Sequence, residues 1–180
     1  MLRLLWDLGE LGISSNPGSY ILSGIVRGCP VGNYCPNFNM TLPMVCPVEK
    51  YCPRENMTMP YNCPRQKYCP SMGLIYPVDC PMGYYCPEYN LREPIPCKAG
   101  YHCPTMNMHF YVYCPKGTYC PRGSIRPKQC PRGSYCPNNF MPWPIKCPYN
   151  MTCPWEGMAL PVACPSWMKC DVGSGVRDEF

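Results

Sequence analysis

The phrase CPVGNYCP at residues 29 to 36 returns along the chain as CPVEKYCP, CPRQKYCP, CPMGYYCP, CPKGTYCP and CPRGSYCP. Its cysteines belong to a ladder at positions 29, 35, 46, 52, 63, 69, 80, 86, 97, 103, 114, 120, 130, 136, 147, 153, 164 and 170. Gaps of six and eleven alternate, with one departure, the ten between Cys120 and Cys130. The result is nine units with a 17-residue period, a register that chance does not hold. Units this small bury no core of their own. From Cys29 to Cys170, Leu, Ile, Val and Phe together make only 17 of 142 residues, too few for a conventional interior. Stability has to come from cross-links that restrict the unfolded chain. The prolines help in the same way, since 25 of the 26 lie in this stretch and lower the entropy lost on folding. Eighteen cysteines in 180 residues place the mature chain in an oxidising compartment, secreted or surface-exposed.

Each short segment reads C-P-x-G-x-Y-C, with glycine at Gly32, Gly83, Gly100, Gly117 and Gly133 and tyrosine at Tyr34, Tyr51, Tyr68, Tyr85, Tyr119 and Tyr135. Proline followed by glycine suits a turn, because glycine accepts a positive φ where the chain reverses. The tyrosine rings are expected to cover the sulfur bridges, with their hydroxyls in water. A second proline closes most long segments, at Pro43, Pro60, Pro77, Pro94, Pro127, Pro144 and Pro161. Proline at this density excludes helix and interior strand. The expected fold is therefore small and disulfide-rich, an irregular elongated solenoid or rod of nine repeats with at most two-residue bridges between them.

Residues 1–28 are a chemically different piece, without cysteine and with 10 of 28 residues Leu, Ile or Val. Within them SYILSGIVR, at 19 to 27, reads as a strand, and LRLLWDLGEL as one or two helical turns. Asp7 and Glu10 interrupt what would be the apolar stretch of a signal peptide, so the chain reads as a piece of a longer precursor. Residues 29–170 form the array and 171–180 a tail. Lys and Arg are scattered over a net charge of +5, with no basic stripe interleaved with aromatics, which argues against nucleic acid. No apolar run approaches the roughly 20 residues that span a bilayer.

C-P-x-G-x-Y-C-P, followed by a proline and a further C-P, resembles the ephrin-receptor-like cysteine-rich repeats. The resemblance covers residues 29 to 170 and implies tandem extracellular modules with no catalytic residues to carry over. It weakens where Lys98 and His102 break one unit, and where CPYNMTC and CPSWMKC lack both glycine and tyrosine.

Three pairings suit the ladder. Long-loop pairing joins Cys35 to Cys46 and leaves Cys29 and Cys170 over, placed to bond neighbouring molecules. Crossed pairing cannot satisfy nine units. Short-loop pairing leaves no remainder and uses the spacing that never varies, so it is favoured: Cys29–Cys35, Cys46–Cys52, Cys63–Cys69, Cys80–Cys86, Cys97–Cys103, Cys114–Cys120, Cys130–Cys136, Cys147–Cys153 and Cys164–Cys170.

Metal clusters need convergent thiolates at C-x-C or C-x-x-C spacing, and neither occurs. Met106, Met108 and His109 are a conceivable soft copper site, but with 13 methionines in the chain their clustering reads as chance. No metal or cofactor is expected. His102 and His109 are the only histidines, and a Cys-His nucleophile would need a free thiol, so an enzyme is the least supported class. The sequence NMT occurs at Asn39, Asn56 and Asn150, each an acceptor for an N-linked glycan in a secreted chain. Asn39 and Asn56 occupy one register position, which Asn90 and Asn107 share without the threonine; an exposed turn is expected there. The functional expectation is a structural protein, a glycosylated disulfide ladder that assembles into a fibre, surface hair, wall or coat. Its apolar contacts are expected at Leu5, Trp6, Ile21, Leu22, Ile25 and Val26, unless these cap the first unit of the same molecule. The rivals are the stalk or ectodomain of a receptor or adhesin, and an outer component of a large virus particle.

Overall fold

The computed structural model describes residues 12–175. It contains no helix among them, only short antiparallel hairpins, each made of two strands. The first pairs β1 (Ser19–Leu22) with β2 (Ile25–Gly28). SYILSGIVR is thus a hairpin rather than one strand, because Ser23 and Gly24, with φ of 52° and 74°, form the tight turn whose two central residues are left-handed. The stretch LRLLWDLGEL lies outside the described residues. In the first repeat β3 (Asn33–Tyr34) pairs with β4 (Met44–Val45), and the loop between them carries the closing cysteine. The same two-residue hairpin recurs in each of the next seven repeats, as in Lys50–Tyr51 with Tyr61–Asn62 and Thr118–Tyr119 with Gln129 and Lys128. Proline keeps the strands short; Pro96 ends one at the only kind of place a ladder tolerates it.

Every cysteine is bridged to the one six residues away, with Cα atoms 5.9 to 6.3 Å apart, and none is free. Cys29–Cys35 through Cys164–Cys170 all take the short loop. The interior of the described residues is mostly these sulfurs. Seventeen cysteines are buried, Cys164 is half-buried, and the other buried hydrophobic side chains are Ile21, Met57 and Met108. Tyr34 packs on the following bridge, Cys46–Cys52, beside Met57, and Tyr85 does the same at Cys97–Cys103 beside Met108.

The cysteine backbones wire the repeats together. In the first repeat the Cys29 amide donates to the Gly18 carbonyl at 2.8 Å, and the Cys35 amide to Met57 at 2.8 Å. Their carbonyls accept from Asn56 at 2.8 Å and from Gly18 at 2.7 Å. The fifth repeat makes the same four bonds, from Cys97 to Gly83, Cys103 to Ser124, Gly123 to Cys97 and Gly83 to Cys103. One repeat is therefore held by its own bridge and by the repeats on either side, the arrangement that makes a solenoid additive.

Eight of the nine repeats carry a positive φ at two positions, and the ninth at one. Of the two, one is the turn glycine, three after the opening cysteine, as at Gly32 (74°); the other is a corner ten after it, as at Asn56 (59°). Left-handed backbone favours glycine and, next, asparagine, whose side chain bonds locally. Asn or Gly fills eight of the nine corners: Asn39, Asn56, Gly73, Asn90, Asn107, Gly123, Gly157 and Gly173; the ninth is Phe140 at 65°. Gly123 and Gly173 come one residue early.

The pattern runs past both ends of the cysteine ladder. Ser15 and Ile21, six apart and both buried, stand where a bridge would be, and Gly18 stands where the turn glycine would be. Asn39 donates its amide to the Ser15 carbonyl, and Ile21 donates to Met40, copying the bonds of opening and closing cysteines. Residues 12–28 thus include a repeat without sulfur that caps the first bridge. At the other end Gly173 bonds Cys147 and Ser174 accepts from Cys153, so the array reaches beyond Cys170. Because the wiring is backbone, Ser15→Cys with Ile21→Cys is expected to form a tenth bridge that adds about 2 kcal/mol. Non-reduced peptide mapping checks this, and two free thiols in the folded variant would refute it.

The described residues fall into two compact bodies, the first with 12–79 and 88–94, the second with 80–87 and 95–175.

Candidate functional site

His102 Nδ1 lies 3.6 Å from Cys114 Sγ, and with Cys120 these atoms fall within 4.8 Å of one another. Both sulfurs are bonded to each other, so they offer no thiolate to an ion. Burial pushes the His102 imidazole below its usual pKa, opposed by a hydrogen bond with the Val112 backbone. The TMNMHF cluster is divided by the fold. Met108 turns inward onto Cys97–Cys103, Met106 is exposed, and His109 stacks edge-on against Phe110 at 5.0 Å. Met108 has structural work to do: residues after the corner, Met40, Met57, Leu74, Leu91, Met108, Met141 and Met158, take this inward place in their repeats, and all are buried or half-buried.

The three NMT asparagines are exposed residues in left-handed backbone, with φ of 56° at Asn39, 59° at Asn56 and 61° at Asn150. Asn39 and Asn56 are corners; Asn150 occupies the turn-glycine position of its repeat. The Asn39 Oδ1 accepts the Ser15 amide at 2.9 Å, and Asn107 Oδ1 accepts the Cys80 amide at 2.9 Å. Asparagine recurs at the corner because its backbone and its carbonyl oxygen both fit there. At Asn39 that bond engages the oxygen and not the amide nitrogen, the atom a glycan would use.

The apolar N-terminal residues separate. Ile21 is 3% exposed inside its own chain, in the place of a closing cysteine, and so is a capping residue rather than an assembly contact. Leu22, Ile25 and Val26 are exposed. Leu5 and Trp6 lie outside the described residues.

A surface feature emerges from the register. Four residues before each opening cysteine stands an exposed side chain, usually with proline next. In the first body these are Ile25, Leu42, Met59 and Tyr76, 57 to 69% exposed, and then Glu93. In the second they are Phe110, Arg126, Trp143 and Leu160. The residue before a proline is confined to extended backbone. Sequence reading finds the prolines but passes over their neighbours, because one large apolar residue per 17 carries no helical or strand period. The signal was there in the column of residues at that register.

No protein-family model matches the chain, and no curated protein is significantly similar to it. No helix among the described residues is long and apolar enough to cross a membrane.

Proposed function

We propose that this chain is an extracellular structural protein, a glycosylated ladder of ephrin-receptor-like repeats that assembles with further copies into a fibre, hair, wall or coat, and that it is not an enzyme. The observation that carries this reading is the wiring of the cysteine backbones. Each repeat spends its buried groups on its own bridge and on its neighbours, so chemistry-bearing side chains have no interior to be organised in. What such a chain offers is surface repeated at a fixed interval. The bridges support a home in an oxidising compartment, and the exposed NMT corners Asn39 and Asn56 are the acceptors proposed for N-linked glycans, with Asn150 a third.

Leu22 and Ile25, paired across the capping hairpin, share an exposed apolar face, and Val26 is exposed on the other face beside Ile21; these three are the assembly contact proposed for the N-terminal segment. Burying a side chain of this kind is worth about 1.5 to 3 kcal/mol. The test is to secrete the full chain, treat it with an endoglycosidase, and follow association by light scattering and negative-stain imaging. A mass loss at Asn39 and Asn56 and concentration-dependent polymers are expected. Ile25→Ser with Val26→Ser, which leaves the cap in place, is expected to weaken association about tenfold or more. A chain that is unglycosylated and monomeric throughout, with a saturable ligand, would instead be an ectodomain or stalk.

A further inference from the structure

We infer that the shortened sixth repeat carries a binding site for a sulfated polysaccharide, built from Arg122, Arg126 and Lys128. The site goes beyond the structural reading above and rests on it for one thing, the extracellular surroundings in which such a polyanion is met. The three cations are exposed and line one hollow with Gly123, Ser124 and Ile125. No carboxylate lines it, and none of the three makes an ion pair among the described residues.

The same hollow exists in the second repeat, where its charge is already satisfied. Arg54 holds the place of Arg122, two after the closing cysteine. Its guanidinium donates to the Tyr61 hydroxyl and lies 5.5 Å from the centre of that ring. At the register of Tyr61, two before the next opening cysteine, the sixth repeat has Lys128, which repels Arg122 instead of covering it. Met59 is likewise replaced by Arg126. The residue missing from the shortened segment is the one before the corner, and in the second repeat that residue is the hollow's acid, Glu55. Among the segments that join successive bridges, Arg126 and Lys128 are the only cations in their columns. An acid deleted and two cations gained within one loop make a site rather than an ordinary solvated face.

The charge balance around the loop favours a long anion. Residues 95–155 of the second body hold seven Lys and Arg and no Asp or Glu, whereas the first body holds six against five. A linear polyanion gains by releasing counterions along such a stretch. Sulfate groups suit the planar fork of arginine and the point charge of lysine. Single-stranded nucleic acid fits less well, because its bases need aromatic side chains to stack on and the hollow is lined by none.

Titration of the oxidised full chain with heparin at several salt concentrations tests this, with neutral dextran and duplex DNA as comparisons. Binding to heparin, weaker binding to DNA and none to dextran are expected. Arg126→Met with Lys128→Tyr rebuilds the hollow of the second repeat. It is expected to weaken heparin binding about tenfold or more and to lower the slope of log affinity against log salt by about 1.5. Lys98→Gln with Lys169→Gln removes the same charge from exposed sites elsewhere in that body, and is expected to change affinity less than about threefold. Resistance to protease confirms that the bridged fold is intact in both. Equal losses in the two variants, no loss in the first, or DNA bound as tightly as heparin overturns the inference. Assembly is followed without heparin, so a chain that polymerises but binds no heparin sinks this site alone. One that binds heparin through the hollow and stays monomeric sinks only the assembly reading.

Discussion

Complete reduction of the oxidised chain is expected to remove its cooperative thermal transition and to leave it open to protease along its length. In most domains of this size the bridges would be additions to a hydrocarbon core. Here the buried hydrophobic side chains, cysteines aside, are Ile21, Met57 and Met108 among the described residues. Each bridge closes a seven-residue loop, worth about 2 to 3 kcal/mol by the chain-entropy account. Losing nine of them removes more than the roughly 5 to 15 kcal/mol by which whole domains are stable. The backbone bonds between repeats do not survive separately, because the carbonyls and amides that make them belong to the cysteines. Single bridges should differ by position. Cys97→Ala with Cys103→Ala removes a fully buried bridge that Tyr85, Tyr101 and Met108 pack against, and is expected to cost about 3 to 5 kcal/mol. Cys164→Ala with Cys170→Ala removes the bridge with a half-buried sulfur and is expected to cost about 2 kcal/mol. Calorimetry with and without reductant checks the first expectation, and denaturant melts of the two variants check the second. A cooperative transition in the fully reduced chain would mean that the proline-rich backbone, and not sulfur, holds the fold.

How much of this was written in the amino-acid order depends on the kind of constraint. The bridge spacing is covalent and never varies, so the ladder, its period and the absence of helix are legible at once. The turn glycines are legible too, since proline and glycine in fixed order have one common use. The corners are harder. Asn39, Asn56, Asn90 and Asn107 read as a column tolerant of exposed asparagine, whereas the backbone there needs a left-handed residue and, at Asn39 and Asn107, the amide oxygen meets a neighbouring amide. The sequence does hold the clue, in the exchange of Asn for Gly at Gly73, Gly123 and Gly157. Methionine looked like noise because the role of Met57 and Met108, covering a bridge from the neighbouring loop, is visible only once the corner is placed. The capping repeat is the largest omission. A search by cysteine cannot find Ser15 and Ile21, and their equivalence to a bridge appears only in the hydrogen bonds of Asn39 and Met40.

Gly83→Ala is expected to be far more damaging than Gly123→Ala, although the two glycines are packed against each other. Both have left-handed backbone, with φ of 81° and 79°, so an L side chain costs about 1 to 2 kcal/mol at either. Their surroundings differ. A Cβ at Gly83 would stand 2.7 Å from the carbonyl oxygen of Gly123, two repeats further on, while one at Gly123 would meet nothing within 4 Å. Backbone cannot move aside as a flexible side chain does. Gly123 is held by its amide bond to Cys97 at 2.8 Å, and Gly83 by bonds to Cys103 at 2.9 Å and from Cys97 at 2.8 Å. Relieving the clash has to loosen some of these, each worth about 1 kcal/mol, on top of the strain of overpacking. The expected losses are therefore about 3 to 5 kcal/mol for Gly83→Ala and about 1 to 2 kcal/mol for Gly123→Ala. Glu49 and Gln66 hold the turn position at φ of 68° and 71°, so left-handed backbone alone does not bar a side chain; the approach of the second repeat at Gly83 does. Gly123→Asn supplies the control, because Asn107 occupies the same corner one repeat earlier, and it should be nearly neutral. Denaturant melts of the oxidised variants give the ranking, and hydrogen exchange at the Cys97 and Cys103 amides localises it. Equal losses at the two glycines would show that backbone strain, rather than contact between alternate repeats, is what these positions guard against.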